Sequence, residues 1–212
     1  KTLEYPTKSG LCGLIMSAMG LSGDERDVVA RIAACEMTVR AFSKSDAPRL
    51  CDFHSTSNGY DFSSPYGRMM RPKNREGKPA NATTSARLTR RDYLQDKAFA
   101  VVLESDDEFS QQIRDALVSP TRMLFLGRRN CAPTAFIWRG AFESREQALA
   151  QADEISKGQG DISPSYRHDF DVVEDPAASG FQQTLNDVPV SLGIEKAYRS
   201  RSVTIVRPRS SG

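Results

Sequence analysis

An α+β fold is expected for this chain of 212 residues, and three features of the sequence point to it. Apolar residues recur at helical spacing in some windows, as at Phe109, Ile113, Ala116 and Leu117. In others they alternate strictly, as Met37, Val39 and Ala41 do against Glu36, Thr38 and Arg40. These windows follow one another as helix, strand, long basic arm, strand, helix, strand, with more β-structure toward the C-terminus. That order is the ferredoxin-like, RRM-like unit of strand–helix–strand–strand–helix–strand without its opening strand. The opening strand is therefore expected to be missing from this chain, clipped ahead of Lys1.

Each element has a local reason. A helix is expected over about Gly10–Met19, started by Thr7 or Ser9 and stopped by Gly20. It is apolar on nearly every side, so it should lie buried against a sheet. Asp24–Ala34 reads as a second helix, with Val28, Val29 and Ile32 on one face and Asp24, Glu25 and Asp27 at its positive end. Glu36–Phe42 reads as a strand with one buried face. Short strands at Leu50–Phe53 and Thr83–Leu88 flank the arm. Lys97–Glu104 is the strongest strand signal of the chain, and Ser105 is the expected cap of a helix over Asp107–Val118. Ala135–Arg139 suggests a short strand, Arg145–Ala152 a helix, Arg167–Val173 a strand and Val203–Val206 a last strand.

The arm sets the functional expectation. From Tyr66 to Arg91 come Arg68, Arg71, Lys73, Arg75, Lys78, Arg87, Arg90 and Arg91, opposed only by Glu76 and punctuated by Gly67, Pro72, Gly77 and Pro79. With few aliphatic side chains it cannot build its own core, but it can lay cations along a phosphate backbone. The formal net charge is only +2, so basic charge is concentrated locally, as in a nucleic-acid-binding arm. Three parts follow: 1–51 as the first part of a palm, 52–91 as the inserted basic arm, and 92–212 as the rest of the palm with its β-rich extension. No apolar run reaches the roughly 20 residues of a membrane span, and Lys1–Thr7 lacks the apolar core of a signal peptide. Cys12, Cys35, Cys51 and Cys131 show no zinc spacing and are expected to be reduced, buried thiols. A cytoplasmic protein without membrane contact or cofactor is the expectation.

Candidate nucleic-acid contacts fall in three places. Gly127 follows the apolar run Leu124–Leu126 and permits a tight bend that presents Arg128 and Arg129. Lys8 and Ser9 open a helix whose first amides favour an anion, although an ordinary helix cap explains Ser9 as well. Arg68, Arg71, Lys73, Arg75 and Lys78 on the arm make a stronger case together than singly, since a merely solvated side chain explains any one of them. Tyr60, Phe62 and Tyr66 can stack on bases or pack on a neighbouring subunit.

Four segments carry a more specific resemblance: Pro6–Leu14, Asp52-Phe53-His54, Arg91-Asp92-Tyr93-Leu94 and Phe125–Pro133, in that order. Together they resemble the CasD subunit family of the type I-E CRISPR surveillance complex, Cascade, within the RAMP superfamily of ferredoxin-like RNA binders. The resemblance implies a subunit that grips the 5′ handle of the CRISPR RNA, with Lys8, Ser9, His54, the arm cations and Arg128–Arg129 as contacts. It implies a hairpin thumb reaching the backbone subunit, a palm against the large subunit, and target DNA engaged only through the complex. It implies a structural cap rather than an enzyme.

The alternative is a metal-independent endoribonuclease, as in a related subtype. That chemistry needs a general base for the 2′-hydroxyl and a general acid for the leaving oxygen. His54 and His168 are the only histidines, and His54 with Tyr60 or Lys73 is the imaginable set. A histidine at a strand edge more often hydrogen-bonds structurally, so no catalytic residue is assigned. Asp61, Asp161, Asp169 and Asp171 share no metal-ligand spacing with either histidine, and Asp169–Asp175 reads as a solvated strand or a contact for a basic partner.

Overall fold

A computed structural model describes residues 2–46, 48–56, 87–158 and 166–208. In chain order the elements are α1 (Lys8–Ala18), α2 (Arg26–Ala34), β1 (Glu36–Ser43), β2 (Leu50–Thr56), β3 (Arg87–Tyr93), β4 (Lys97–Glu104), α3 (Asp107–Val118), α4 (Arg145–Ser156), β5 (Arg167–Val173), β6 (Phe181–Ser191) and β7 (Ala197–Val206). They fall into two units: Lys1–Thr2 with Ala47–Gln95, and Leu3–Asp46 with Asp96–Gly212. The fold is α+β, and every strand pairing among the described residues is antiparallel.

The larger unit is a five-stranded sheet in the order β4-β1-β5-β7-β6. Period-2 alternation sends Met37 and Val39 to one face, where they join Cys12 and Ile15 of α1, Val29 and Ile32 of α2, and Phe109 and Ile113 of α3 in one core. Val172 and Val203 complete it from β5 and β7. Among the described residues β4 pairs only with β1, and no strand lies on its outer side.

The polar face of β1 was expected in water, and it is not. Thr38 is buried, and the Arg40 guanidinium is held between Asp171 Oδ2 at 2.7 Å and Asp153 Oδ2 of α4 at 2.7 Å. Arg145 at the start of α4 reaches Glu36 and Glu104 on the same side. α4 therefore covers this face and is tied to it by ion pairs, which is why alternation alone suggested solvent. Asp169 likewise accepts from Lys97 Nζ at 2.7 Å and Ser43 Oγ at 2.6 Å. The Asp169 and Asp171 carboxylates thus serve the chain's own cations and not a basic partner.

Several boundaries shift for identifiable reasons. The side chain of Asp106, not Ser105, caps α3 by accepting from Phe109 N–H at 2.8 Å. The Phe109 N–H bond is the main reason that carboxyl ionises below its ordinary range. No strand forms at Ala135–Arg139; residues 119–144 carry neither helix nor strand. Instead the sheet grows through β6, whose Gln182, Gln183, Asn186, Asp187 and Pro189 conceal it from propensity. Pro189 is tolerated because β6 is an edge strand, and two register shifts further blunt that edge. Cys12 and Cys35 are buried, and burial pushes the Cys12 thiol up to about 12. Cys51 and Cys131 are half-buried instead.

The smaller unit is the β2–β3 hairpin stem, in register from Leu50 opposite Tyr93 to Thr56 opposite Arg87. β2 extends the expected Leu50–Phe53 strand to Thr56, whereas β3 shares only Arg87 and Leu88 with the expected Thr83–Leu88 strand, whose first four positions lie outside the described residues, and runs on to Tyr93. Arg49 and Asp92 bond to Thr2 within this unit, through Thr2 O at 3.2 Å and Thr2 Oγ1 at 2.6 Å.

Candidate nucleic-acid interface

The strongest candidate surface is the long loop between α3 and α4. From Ser119 to Phe142 it contains Arg122, Arg128, Arg129 and Arg139 and no acidic residue. Its first part is tied along α1. Thr121 N–H donates to Ala18 O at 2.8 Å, Arg122 Nη1 to Leu21 O at 3.0 Å, and Ser17 Oγ donates to Met123 O at 3.3 Å. Leu126 Cδ1 then lies 3.6 Å from the position a side-chain carbon on Gly10 would take. The loop therefore runs back from the end of α1 to its first turn. Gly10 of α1 and Gly20 just beyond its end leave room for the Leu126 and Thr121 side chains of the loop.

At that first turn the chain reverses. Gly127 adopts φ +74°, Arg128 N–H donates to Leu126 O at 2.9 Å, and Cys131 N–H donates to Arg128 O at 2.8 Å. Leu126 N–H donates to Cys131 O at 3.0 Å and closes the turn. Arg129 is exposed and Arg128 half-buried. Two stretches far apart in sequence, the start of α1 and the Gly127-Arg128-Arg129 turn, are thus brought together.

Lys8 requires a correction. Its side chain is 2% exposed, with Nζ 2.7 Å from Glu174 Oε1 and donating to Cys35 O at 2.8 Å. It cannot reach a phosphate. The anion expected at the positive end of α1 is supplied by the protein itself: Lys8 N–H donates to Asp187 Oδ2 at 2.8 Å. Arg201 grips the same carboxylate through Nε at 2.7 Å and Nη2 at 2.9 Å, and reaches Glu174 at 2.6 Å. Burial alone works against the Arg201 charge, and the Asp187 and Glu174 carboxylates more than offset it. Thr7 fills the cap, its Oγ1 accepting from Gly10 N–H at 3.0 Å; Ser9 is half-buried with Oγ 3.2 Å from Thr7 Oγ1.

His54 lies on β2, exposed, with Nε2 2.5 Å from Asp52 Oδ2. Arg90 and Arg91 stand exposed on β3, across from Phe53 and Asp52. Arg68, Arg71, Lys73 and Arg75 lie outside the described residues, as do Tyr60, Phe62 and Tyr66. His168 Nε2 is 2.9 Å from Asp171 Oδ1, the carboxylate already bound by Arg40. Among the described residues no group of three His, Cys, Asp or Glu side chains could hold a metal ion, and no helix is long and apolar enough to cross a membrane.

The family profile described as "CRISPR-associated protein (Cas_Cas5)" matches residues 1–204. The chain belongs to this family. A search of curated proteins returns no significant match. Among solved structures, the Cas5-family chain is similar to one from a "CRISPR RNA-guided surveillance complex", with TM-score 0.67 and 24% identity over 98% of this chain and 80% of that one. It is also similar to a chain described as "Crystal structure of Cas protein", with TM-score 0.62 and 23% identity over 99% of this chain and 84% of that one. At these identities the likeness is one of fold. Sequence reasoning singled out the arginine pair of this Cas5-family chain but missed Phe136, which is 86% exposed on the same loop. Its signal was there to be found in the absence of acid from Ser119 to Phe142.

Proposed function

We propose that this Cas5-family chain is a non-catalytic RNA-binding subunit of a CRISPR ribonucleoprotein of the type I-E, CasD kind, capping the 5′ handle of the CRISPR RNA. The observation that carries the reading is the acid-free loop of 119–142, clamped along α1 and bent at Gly127 so that Arg129 faces solvent. Arginine forks on a fixed turn suit a phosphate backbone, and single-stranded ends are what such surfaces recognise. The fold shared with a chain of an RNA-guided surveillance complex supports the same reading. The hairpin arm would meet the backbone subunit and the palm the large subunit, with target DNA reached only through the complex and the whole assembly in the cytoplasm. Co-expression with the other subunits and a repeat array tests it: the purified complex should carry a short RNA of uniform length, and complexes assembled without RNA would refute it.

A second reading, a metal-independent endoribonuclease, draws support from the exposed His54–Asp52 pair, since a carboxylate-oriented imidazole can move a proton at neutral pH. Repeat RNA incubated with the protein in excess chelator separates the two. The cap reading expects no discrete cut and no change in guide length in His54→Ala or His168→Ala. A single cut lost in His54→Ala would establish the nuclease.

A further inference from the structure

Folding leaves two aromatic rings of the arginine loop exposed, Phe142 at 40% and Phe136 much further out. Phe136 is 86% exposed, although its neighbour two positions on, Trp138, packs against the hydrophobic core. The alternation matters, because Trp138 fixes the backbone on one side of Phe136. On the other side Leu126, against Gly10, and the closed turn to Cys131 hold the chain. The ring is therefore presented from an anchored segment rather than from a free end. Isolated exposed apolar residues are ordinary on protein surfaces. What distinguishes this one is its setting: exposed Arg129 and Arg139 lie on the same stretch, and no carboxylate occurs from Ser119 to Phe142. Such a charge balance matches a polyanion and repels a basic protein surface.

We propose that Phe136 is the base-stacking residue of this loop: its ring takes the face of one unpaired RNA base while Arg129 and Arg139 meet the flanking phosphates. This rests on the RNA-binding reading above and deepens it by naming what is read, a base plane rather than the backbone alone. Aromatic rings hold single-stranded bases in this way with little sequence preference, because every base has a π-face. A phenyl ring carries no charge, so its contribution displaces no counterions; an arginine on a phosphate does.

That difference supplies the test. Fluorescence anisotropy is measured across a salt series with two labelled probes, an oligoadenylate of about 12 nucleotides and an abasic ribose-phosphate oligomer of the same length. The proteins are the full chain, Phe136→Ala, Phe136→Tyr and Arg129→Ala. Phe136→Ala should weaken oligoadenylate binding about tenfold or more with an unchanged salt slope, and Phe136→Tyr should restore it. Phe136→Ala should bind the abasic oligomer as the parent does. Arg129→Ala should lower the salt slope by about 0.7 on either probe. Equal oligoadenylate affinity for Phe136→Ala and parent would overturn the proposal and assign the ring to a protein partner; an equal loss on the abasic oligomer would overturn it as well. Failure of the parent to bind either probe would instead refute the RNA-binding reading beneath it.

Discussion

The backbone N–H of Lys8 donates to Asp187 Oδ2 at 2.8 Å, so the first residue of α1 is bound by a carboxylate of β6. The positive end of the helix that invites a phosphate in the sequence is already occupied by an internal anion, itself gripped by Arg201. Asp187→Ala removes one partner of a buried ion pair and strands the other. It should cost about 3–5 kcal/mol in a urea titration, and a loss under about 1 kcal/mol would contradict the role assigned here. Lys8→Ala should likewise lower stability while leaving RNA affinity of the folded fraction unchanged.

The Asp169 carboxylate gives a pH prediction. Burial works against its charge, but bonds from Lys97 and Ser43 win, and it ionises below the ordinary aspartate range. A depressed folded value means the pair stabilises the fold above the unfolded aspartate pKa of about 3.9, and that this is lost as pH falls through the lower folded value. Asp169→Asn should therefore be less stable than the parent at about pH 7, with the gap closing at about pH 2. A gap that stays constant across that range would show that charge is not what the site uses.

Two glycines of the α1 region should respond in opposite directions. Gly20 has φ +73°, and a side-chain carbon there would sit 2.7 Å from Thr121 Cγ2, at the root of the arginine loop. Gly20→Ala should cost at least about 1–2 kcal/mol and loosen the loop. Gly13 is helical, with open space where a side chain would go. Gly13→Ala should stabilise by about 0.5–1 kcal/mol. Thermal melts of both variants check this, and a shift of the same sign in each would refute the packing described.

How much could be read from residues alone depended on the range of the forces involved. The periodicity of Lys97–Glu104, Asp107–Val118 and Arg167–Val173 is local, and these three elements form with the boundaries their sequences suggest. Phe181–Ser191 was illegible, because its strand state comes from pairing with β7 and not from propensity. The burial of Lys8 was hidden for the same reason: Glu174 and Asp187, its partners, lie near the other end of the chain. The arginine turn was legible because glycine, arginine and the adjoining apolar run are neighbours in sequence.

Charge reversal at that turn probes function without disturbing the core. Arg129 is exposed, so Arg129→Glu should fold as the parent does, and the double variant with Arg128→Glu should lose guide RNA from the purified complex. An unchanged RNA content would remove the turn from the interface.

On the proposed function, the loop of 119–142 holds the handle of a CRISPR RNA. Ultraviolet cross-linking of the assembled ribonucleoprotein, with mass-spectrometric mapping of both partners, tests it most directly. Cross-links should join handle nucleotides to peptides containing Arg128–Arg129 or Phe136. Handle cross-links confined to other subunits, with none on this loop, would contradict it.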